Sequence, residues 1–304
     1  MAFTAKDVAE LREKTSCGMM DCKKALAASD GDMDKAIDFL REKGLAAAVK
    51  KAGRIAAEGV AYAETNEAGT AGVVIEVNSE TDFVAKNAMF RSFVKTCADT
   101  VLAGKPADVD ALLKCKAAGS DETVGALLKE NILKIGENIK IRRFSLLEGN
   151  VGAYIHAGGK IGVIAQFETD PETAAKPEFK EYAKNICMQV AAISPEYLDE
   201  SRVPAGVVAH EKEILKQQVI DSGKPAAIAE KIVVGKLHKF YEEVCLVDQA
   251  FIKEDKISVK QYTAQVAKEL GGTVKITGFA RFVCGEGLEK RKENFADEIK
   301  DLVK

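Results

Sequence analysis

Side chains able to carry covalent or metal chemistry are few and scattered in this sequence. His156, His210 and His238 lie in different segments, and His210-Glu211 lacks the second histidine of an H-E-x-x-H zinc helix. No G-x-S-x-G nucleophile elbow occurs. HAGGKIG (156–162) and DSGKPA (221–226) contain Gly-Lys, yet neither has the G-x-x-x-x-G-K-[ST] spacing that cradles a triphosphate. Turn chemistry accounts for both. Cys17, Cys22, Cys97, Cys115, Cys187, Cys245 and Cys284 are odd in number and include no C-x-x-C pair. A disulfide framework or zinc site is therefore not expected, and a reducing compartment fits best. Carboxylates are abundant, but their spacing does not say which converge. The expectation is a protein without metal, cofactor or covalent chemistry of its own.

One stretch poses a different chemical question. EVNSETDFVAKN, residues 76–87, ends a predicted strand and sets Phe83 between Asp82 and Val84, at the start of a predicted helix. Composition alone favours Phe83 as an ordinary core residue. The alternative is a ring kept out of its own core for use in another molecule's. Asp82 has two readings as well: a hydrogen bond to a partner, or the cap of a helix beginning near Ala85.

The elements that would position this stretch can be read from pattern. At 304 residues the chain is long enough for two or more cores. Its 47% hydrophobic and 30% charged residues are those of an ordinary globular protein. The net charge of −3 gives no overall attraction to nucleic acid or an anionic membrane. No apolar run approaches the ~20 residues that span a bilayer. The N-terminus enters an amphipathic pattern at once, without signal or transit features, so a cytoplasmic location is expected.

Residues 1–54 read as a helical docking module of three short helices. Its apolar stripes are Val8 and Leu11, then Ala25 and Leu26, then Ala36, Ile37 and Leu40. Asp32 is placed to cap the third helix and Gly44 to end it. Residues 55–149, and 150–203 with 245–284, read as two core subdomains built on an internal repeat. GVAYAETNEAGTAGVVIEVNSETDF and NVGAYIHAGGKIGVIAQFETDPE share Ala-Tyr, a Gly-Val start to the returning strand, and Glu-Thr-Asp. Phe90, Phe93 and Lys95 in the following helix match Phe179, Tyr182 and Lys184 at a constant offset of 89 (90 to 179, 95 to 184). Each copy is thus predicted as a hairpin followed by a helix, an α+β unit.

Residues 204–244 read as an inserted helical hairpin turning at Ser222–Pro225. Val233, Leu237, Phe240 and Val244 form a seam suited either to the facing helix or to the main body. Residues 285–304 read as a C-terminal helix with Leu288, Phe295, Ile299 and Leu302 on one side. The predicted fold class is α+β: a three-helix module, a two-part core of duplicated hairpin-plus-helix subdomains, an inserted antiparallel helical hairpin and a C-terminal helix.

LREKTSCGMMDCKKAL (11–26), EVNSETDFVAKN (76–87), KIGENIKIRRF (134–144), YIHAGGKIGV (154–163), ISPEYL (193–198) and TGFARFVCGEG (277–287) resemble, in order, the signature segments of the bacterial translation elongation factor Ts family. That resemblance implies a guanine-nucleotide exchange factor for the GTPase elongation factor Tu, active in translation elongation without being an enzyme. It implies that Thr81, Asp82, Phe83 and Val84 disturb the partner's magnesium site. It implies partner contacts by Arg12, Met19, Met20 and Lys23, and by the turn at His156 and Gly158. Met19 and Met20 are each open to a core or a contact role, and His156 to a structural one. No direct nucleic-acid or membrane contact is implied. The hairpin is expected to touch the partner or a second copy of the chain. The alternative function is a non-catalytic scaffold or dimerisation protein acting through that hairpin.

Overall fold

The computed structural model describes residues 3–15, 17–222 and 226–289. It begins with three helices, α1 (Ala5–Thr15), α2 (Met19–Ala28) and α3 (Met33–Lys51). Val8, Leu11, Ala25, Leu26, Ala36 and Leu40 close into one small core, as their helical spacing predicts. Asp32 Oδ1 accepts the Lys35 amide at 3.0 Å, which caps α3. Gly44 does not end that helix. Ala-rich sequence follows it, and a lone glycine costs only about 1 kcal/mol in a helix, so α3 runs on to Lys51.

The first sheet unit comprises β1 (Glu58–Thr65), β2 (Ala71–Ser79), α4 (Asp82–Lys86), α5 (Ala88–Gly104), α6 (Val109–Lys114), α7 (Val124–Ile135) and β3 (Lys140–Glu148). The second comprises β4 (Asn150–His156), β5 (Ile161–Thr169), α8 (Pro171–Ala175) and α9 (Pro177–Ile193). After the hairpin helices α10 (Ala205–Asp221) and α11 (Ala226–Val244) it continues with β6 (Ala250–Phe251), β7 (Glu254–Ser258), α12 (Val259–Leu270) and β8 (Val274–Val283). Both main sheets are antiparallel and three-stranded, in the orders β1-β2-β3 and β4-β5-β8.

The likeness of the two units extends to their irregularities. The middle strands shift register after Glu76 in one and after Gln166 in the other. Helices α5 and α9 both have 17 residues and both stop on a left-handed residue that is not glycine, Lys105 (φ 46°) and Ser194 (φ 57°). Phe90 and Phe93, and Phe179 and Tyr182, are buried in the cores beneath these helices.

The sheets pack face to face. Val73, Ile75 and Val77 belong to the core under α5, while Val74 meets Val151 and Ile164 of the other sheet. This period-2 division buries β2 along its whole length. It also explains the glycine shared by the two repeats. A Cβ on Gly72 would lie 2.4 Å from Val151 Cγ1, and one on Gly162 would lie 3.0 Å from the Ala61 carbonyl oxygen. The inter-sheet approach leaves no room for either.

Glu76, on the same face of β2 as Val74, is fully buried. Its carboxylate accepts from Arg143 Nε at 2.7 Å, Arg142 Nη1 at 2.9 Å, Asn78 Nδ2 at 3.1 Å and the Gly285 amide at 2.7 Å. Burial pushes its pKa up, but these four donors, led by Gly285, outweigh burial and hold it below the usual carboxylate value. The charge is thereby fixed where the first sheet meets the segment after β8.

In the hairpin, Val233 and Leu237 pack with Leu215 and Val219, and Phe240 is half-buried beside them. The seam is filled by the facing helix rather than by the main body. The turn residues 223–225 lie outside the described residues, as do Phe295, Ile299 and Leu302 of the expected C-terminal helix. Among the described residues, no helix is long and apolar enough to cross a membrane, and no three His, Cys, Asp or Glu side chains gather as a metal site.

Candidate functional site

The stretch after β2 is shaped by two carboxylates exchanged between neighbouring segments. Glu137, just ahead of β3, accepts the Glu80 and Thr81 amides through Oε2, both at 3.0 Å. Through Oε1 it accepts the Thr81 hydroxyl at 2.7 Å. In return, Glu80 Oε1 accepts the Asn138 amide at 2.6 Å. This reciprocal pairing fixes the point at which the chain leaves β2 and enters α4.

The cap of α4 is Thr81, whose hydroxyl accepts the Val84 amide at 3.4 Å. The cap reading of Asp82 is therefore corrected. With extended φ/ψ Thr81 takes the Ncap position, so Asp82 falls at the first helical residue, where its charge suits the positive end of the helix. There Asp82 binds Lys86 Nζ at 2.7 Å, a bond that holds its carboxyl below the ordinary aspartate value.

Within α4 the side chains divide sharply. Val84 and Ala85 are buried in the core under α5, and Phe83 points out with 79% of its surface exposed. It is the only exposed Phe or Tyr among the described residues. The core reading of Phe83 thus fails, because helix geometry sets Val84 and Ala85 inward and the preceding side chain outward. Of the four residues singled out, Thr81 and Val84 hold the helix in place. Phe83 and the half-exposed Asp82 remain open to solvent.

A second feature adjoins it. The turn from β4 to β5 runs through Ala157, Gly158 and Gly159, all in left-handed conformation with φ of 47°, 65° and 105°. His156 is exposed at its start, with Nδ1 3.1 Å from the Tyr154 hydroxyl. The Gly159 carbonyl accepts the Ala61 amide at 2.7 Å, which ties the turn to β1. Lys160 Nζ binds Glu58 at 2.7 Å, and that bond raises its pKa. The Lys160 charge also helps to lower the pKa of Asp82. Arg91 on α5 joins the two features. Its Nε donates to the Ala85 carbonyl at 3.0 Å and its Nη2 to the Gly158 carbonyl at 2.7 Å.

Arg12 and Lys23 are exposed on α1 and α2. Met19 and Met20 are 56% and 62% exposed, so neither is a core residue. They start α2, and the inward positions of that helix are taken by Cys22, Ala25 and Leu26. A cleft of about 750 Å³ opens between this module and α7, lined by Ile37, Leu40, Leu128 and Leu133 among others. It is largely apolar and lies away from Phe83.

Sequence reasoning missed Glu137 and Arg91. Glu137 stands inside KIGENIKIRRF, but its partners are 56 and 57 residues away in sequence. Arg91 reads as a polar residue between the two aromatics of α5, and nothing in its spacing announces the Gly158 carbonyl, 67 residues on. Helix α12 was also missed, although the SVKQ capping box formed by Ser258 and Gln261 was legible.

What the site can do follows from its parts. Among the described residues it gathers no metal-ligand set. It offers an exposed ring on a short, tightly held helix beside a glycine turn that starts at the exposed His156. A family model described as Elongation factor TS matches residues 80–286, which takes in α4 and the turn. Elongation factor Ts of Clostridioides difficile (strain 630) is 48% identical over 304 residues, covering 99% of each chain and so the α1–α2 region as well.

Proposed function

The chain belongs to the elongation factor Ts family, and from that premise we propose that it is a guanine-nucleotide exchange factor for elongation factor Tu. It binds the GDP-bound GTPase in the cytoplasm and promotes GDP release by disturbing the Mg²⁺ and phosphate site, without covalent chemistry or a cofactor of its own. The observation that carries the reading is the exposure of Phe83 on a helix whose start is clamped by Glu137.

Exchange requires differential binding. The factor must hold the nucleotide-free GTPase more tightly than the GDP-bound form, and GDP must then weaken the factor's binding by the same ratio. Mg²⁺ demands near-ideal octahedral geometry, so small displacements of its ligands are costly. Phe83 supplies the displacing force by filling an apolar gap between partner helices that opens fully as the metal and phosphate contacts are lost. Burying a Phe is worth ~1.5–3 kcal/mol, or roughly ten- to a hundredfold in an equilibrium. That is short of the whole effect. Asp82 and the His156–Gly158 turn contribute beside the ring, and Arg12, Met19, Met20 and Lys23 dock a separate face.

The chain is further proposed to divide after residues 54, 149, 203, 244 and 284 into docking module, duplicated core subdomains, inserted hairpin and C-terminal module. The hairpin is a secondary contact for the partner or a second copy: Val207, Ile214, Ile220 and Val234 stay exposed once its seam is filled. Direct nucleic-acid and membrane contacts are not part of the proposal. The test is binding of this protein to nucleotide-free elongation factor Tu, titrated with GDP. The reading expects tight binding that GDP reverses; binding indifferent to GDP contradicts it.

A further inference from the structure

We propose that Arg91 is a positioning residue that locks the Phe83 helix and the His156–Gly159 turn into one contact surface, so that the two act on the GTPase as a unit. The proposal rests on the exchange reading above and assigns it a residue that touches neither metal nor nucleotide.

The need for such a lock is visible in the local structure. Helix α4 has five residues, too few to be stable alone. It is separated from α5 by a single extended residue, Asn87, with φ −68° and ψ 132°. Helices leave their last carbonyls without intrahelical partners, and the Ala85 carbonyl is one of these. Arg91, one turn into α5, supplies its donor. Across the gap, the turn is tied to β1 through the Gly159 carbonyl. The Gly158 carbonyl at its tip is taken by the other arm of the same guanidinium.

One planar cation therefore fixes the separation of two backbone segments that belong to different sheet units. The fork matters, because guanidinium donors hold a fixed spread, whereas a lysine ammonium is a single point on a flexible stem.

The test measures GDP release from elongation factor Tu with the wild type, Arg91→Lys and Arg91→Ala, each alone and carrying Phe83→Ala, His156→Ala or both. Amide hydrogen exchange of the free proteins is followed in parallel. With Arg91 present, the Phe83 and His156 substitutions are expected to be non-additive by about threefold or more in rate. Both Arg91 variants should abolish that coupling and lower the maximal release rate more than they raise the half-saturating concentration. They should also speed amide exchange in α4 and in the turn.

Additive effects in the wild-type background overturn the proposal. So does an Arg91→Lys variant that behaves as wild type, since a direct charge contact with the GTPase would survive that change. No acceleration by the wild type overturns the exchange reading instead. The amide-exchange comparison then still decides the lock by itself: unchanged protection in α4 and the turn rejects it.

Discussion

Glu137 Oε1 accepts the Thr81 hydroxyl at 2.7 Å, from a position 56 residues further along the chain. With the two amides on Oε2, this one carboxylate takes three donors at the point where the chain turns into the Phe83 helix. The exposed ring is thus mounted on a backbone held by the neighbouring segment that leads into β3.

Replacing Glu137 with Ala leaves part-buried amides and the Thr81 hydroxyl without their acceptor. Stability should fall by about 1–3 kcal/mol, read from urea unfolding, and exchange activity should fall at a temperature where the variant is still folded. An unchanged unfolding midpoint would show that the clamp carries no weight.

Glu76 makes stability depend on pH. Its folded pKa is depressed, by donors that outweigh burial. Its stabilisation is therefore fully present above the unfolded glutamate value of about 4.3, and is lost as pH falls through the lower folded value. Glu76→Gln should remove that part of the acid sensitivity, as a smaller loss of stability between neutral pH and about pH 3. Removing the carboxylate as Glu76→Ala leaves Arg142 and Arg143 only their hydrogen bonds with Glu286 and should cost about 3 kcal/mol at pH 7. Parallel pH profiles for wild type and Glu76→Gln would contradict this account.

The inter-sheet contact at Gly72 predicts a compensating pair. Gly72→Ala places a Cβ 2.4 Å from Val151 Cγ1 and should destabilise by about 1–3 kcal/mol. Val151→Ala alone costs stability through a lost contact, yet in combination it should recover part of the Gly72→Ala loss. Simple addition of the two losses in denaturant unfolding would mean that the sheets can separate at little cost.

In the hairpin, Leu237→Ala should cost about 2–5 kcal/mol of local stability. Amide exchange should accelerate in α10 and α11 and remain slow in α5. Exchange activity should survive, because the proposed wedge lies elsewhere. Loss of all activity with α5 still protected would favour a hairpin-centred scaffold.

Much of the fold was legible because its signals are local. The N-terminal stripes, the Asp32 cap and the paired hairpins depend on spacings of a few residues, and the repeat reinforced each strand by its twin. Gly44 misled, since a glycine stops a helix only where the following residues cannot continue it. The site was legible in its central residue and not in its supports. Phe83 stands out as an aromatic amid helix-start chemistry, whereas Glu137 and Arg91 act on backbone groups 56 to 67 residues away. Such pairings exist only once the sheets are assembled.

The central claim is that an exposed ring drives nucleotide release, and the release rate of fluorescent GDP from elongation factor Tu tests it most directly. With 79% of its surface exposed, Phe83 can be changed to Ala with a stability change within about 0.5 kcal/mol, so a lost activity would not be a folding defect. The account predicts strong acceleration by the wild type and roughly ten- to a hundredfold less by Phe83→Ala. Equal acceleration by the two proteins would contradict the wedge.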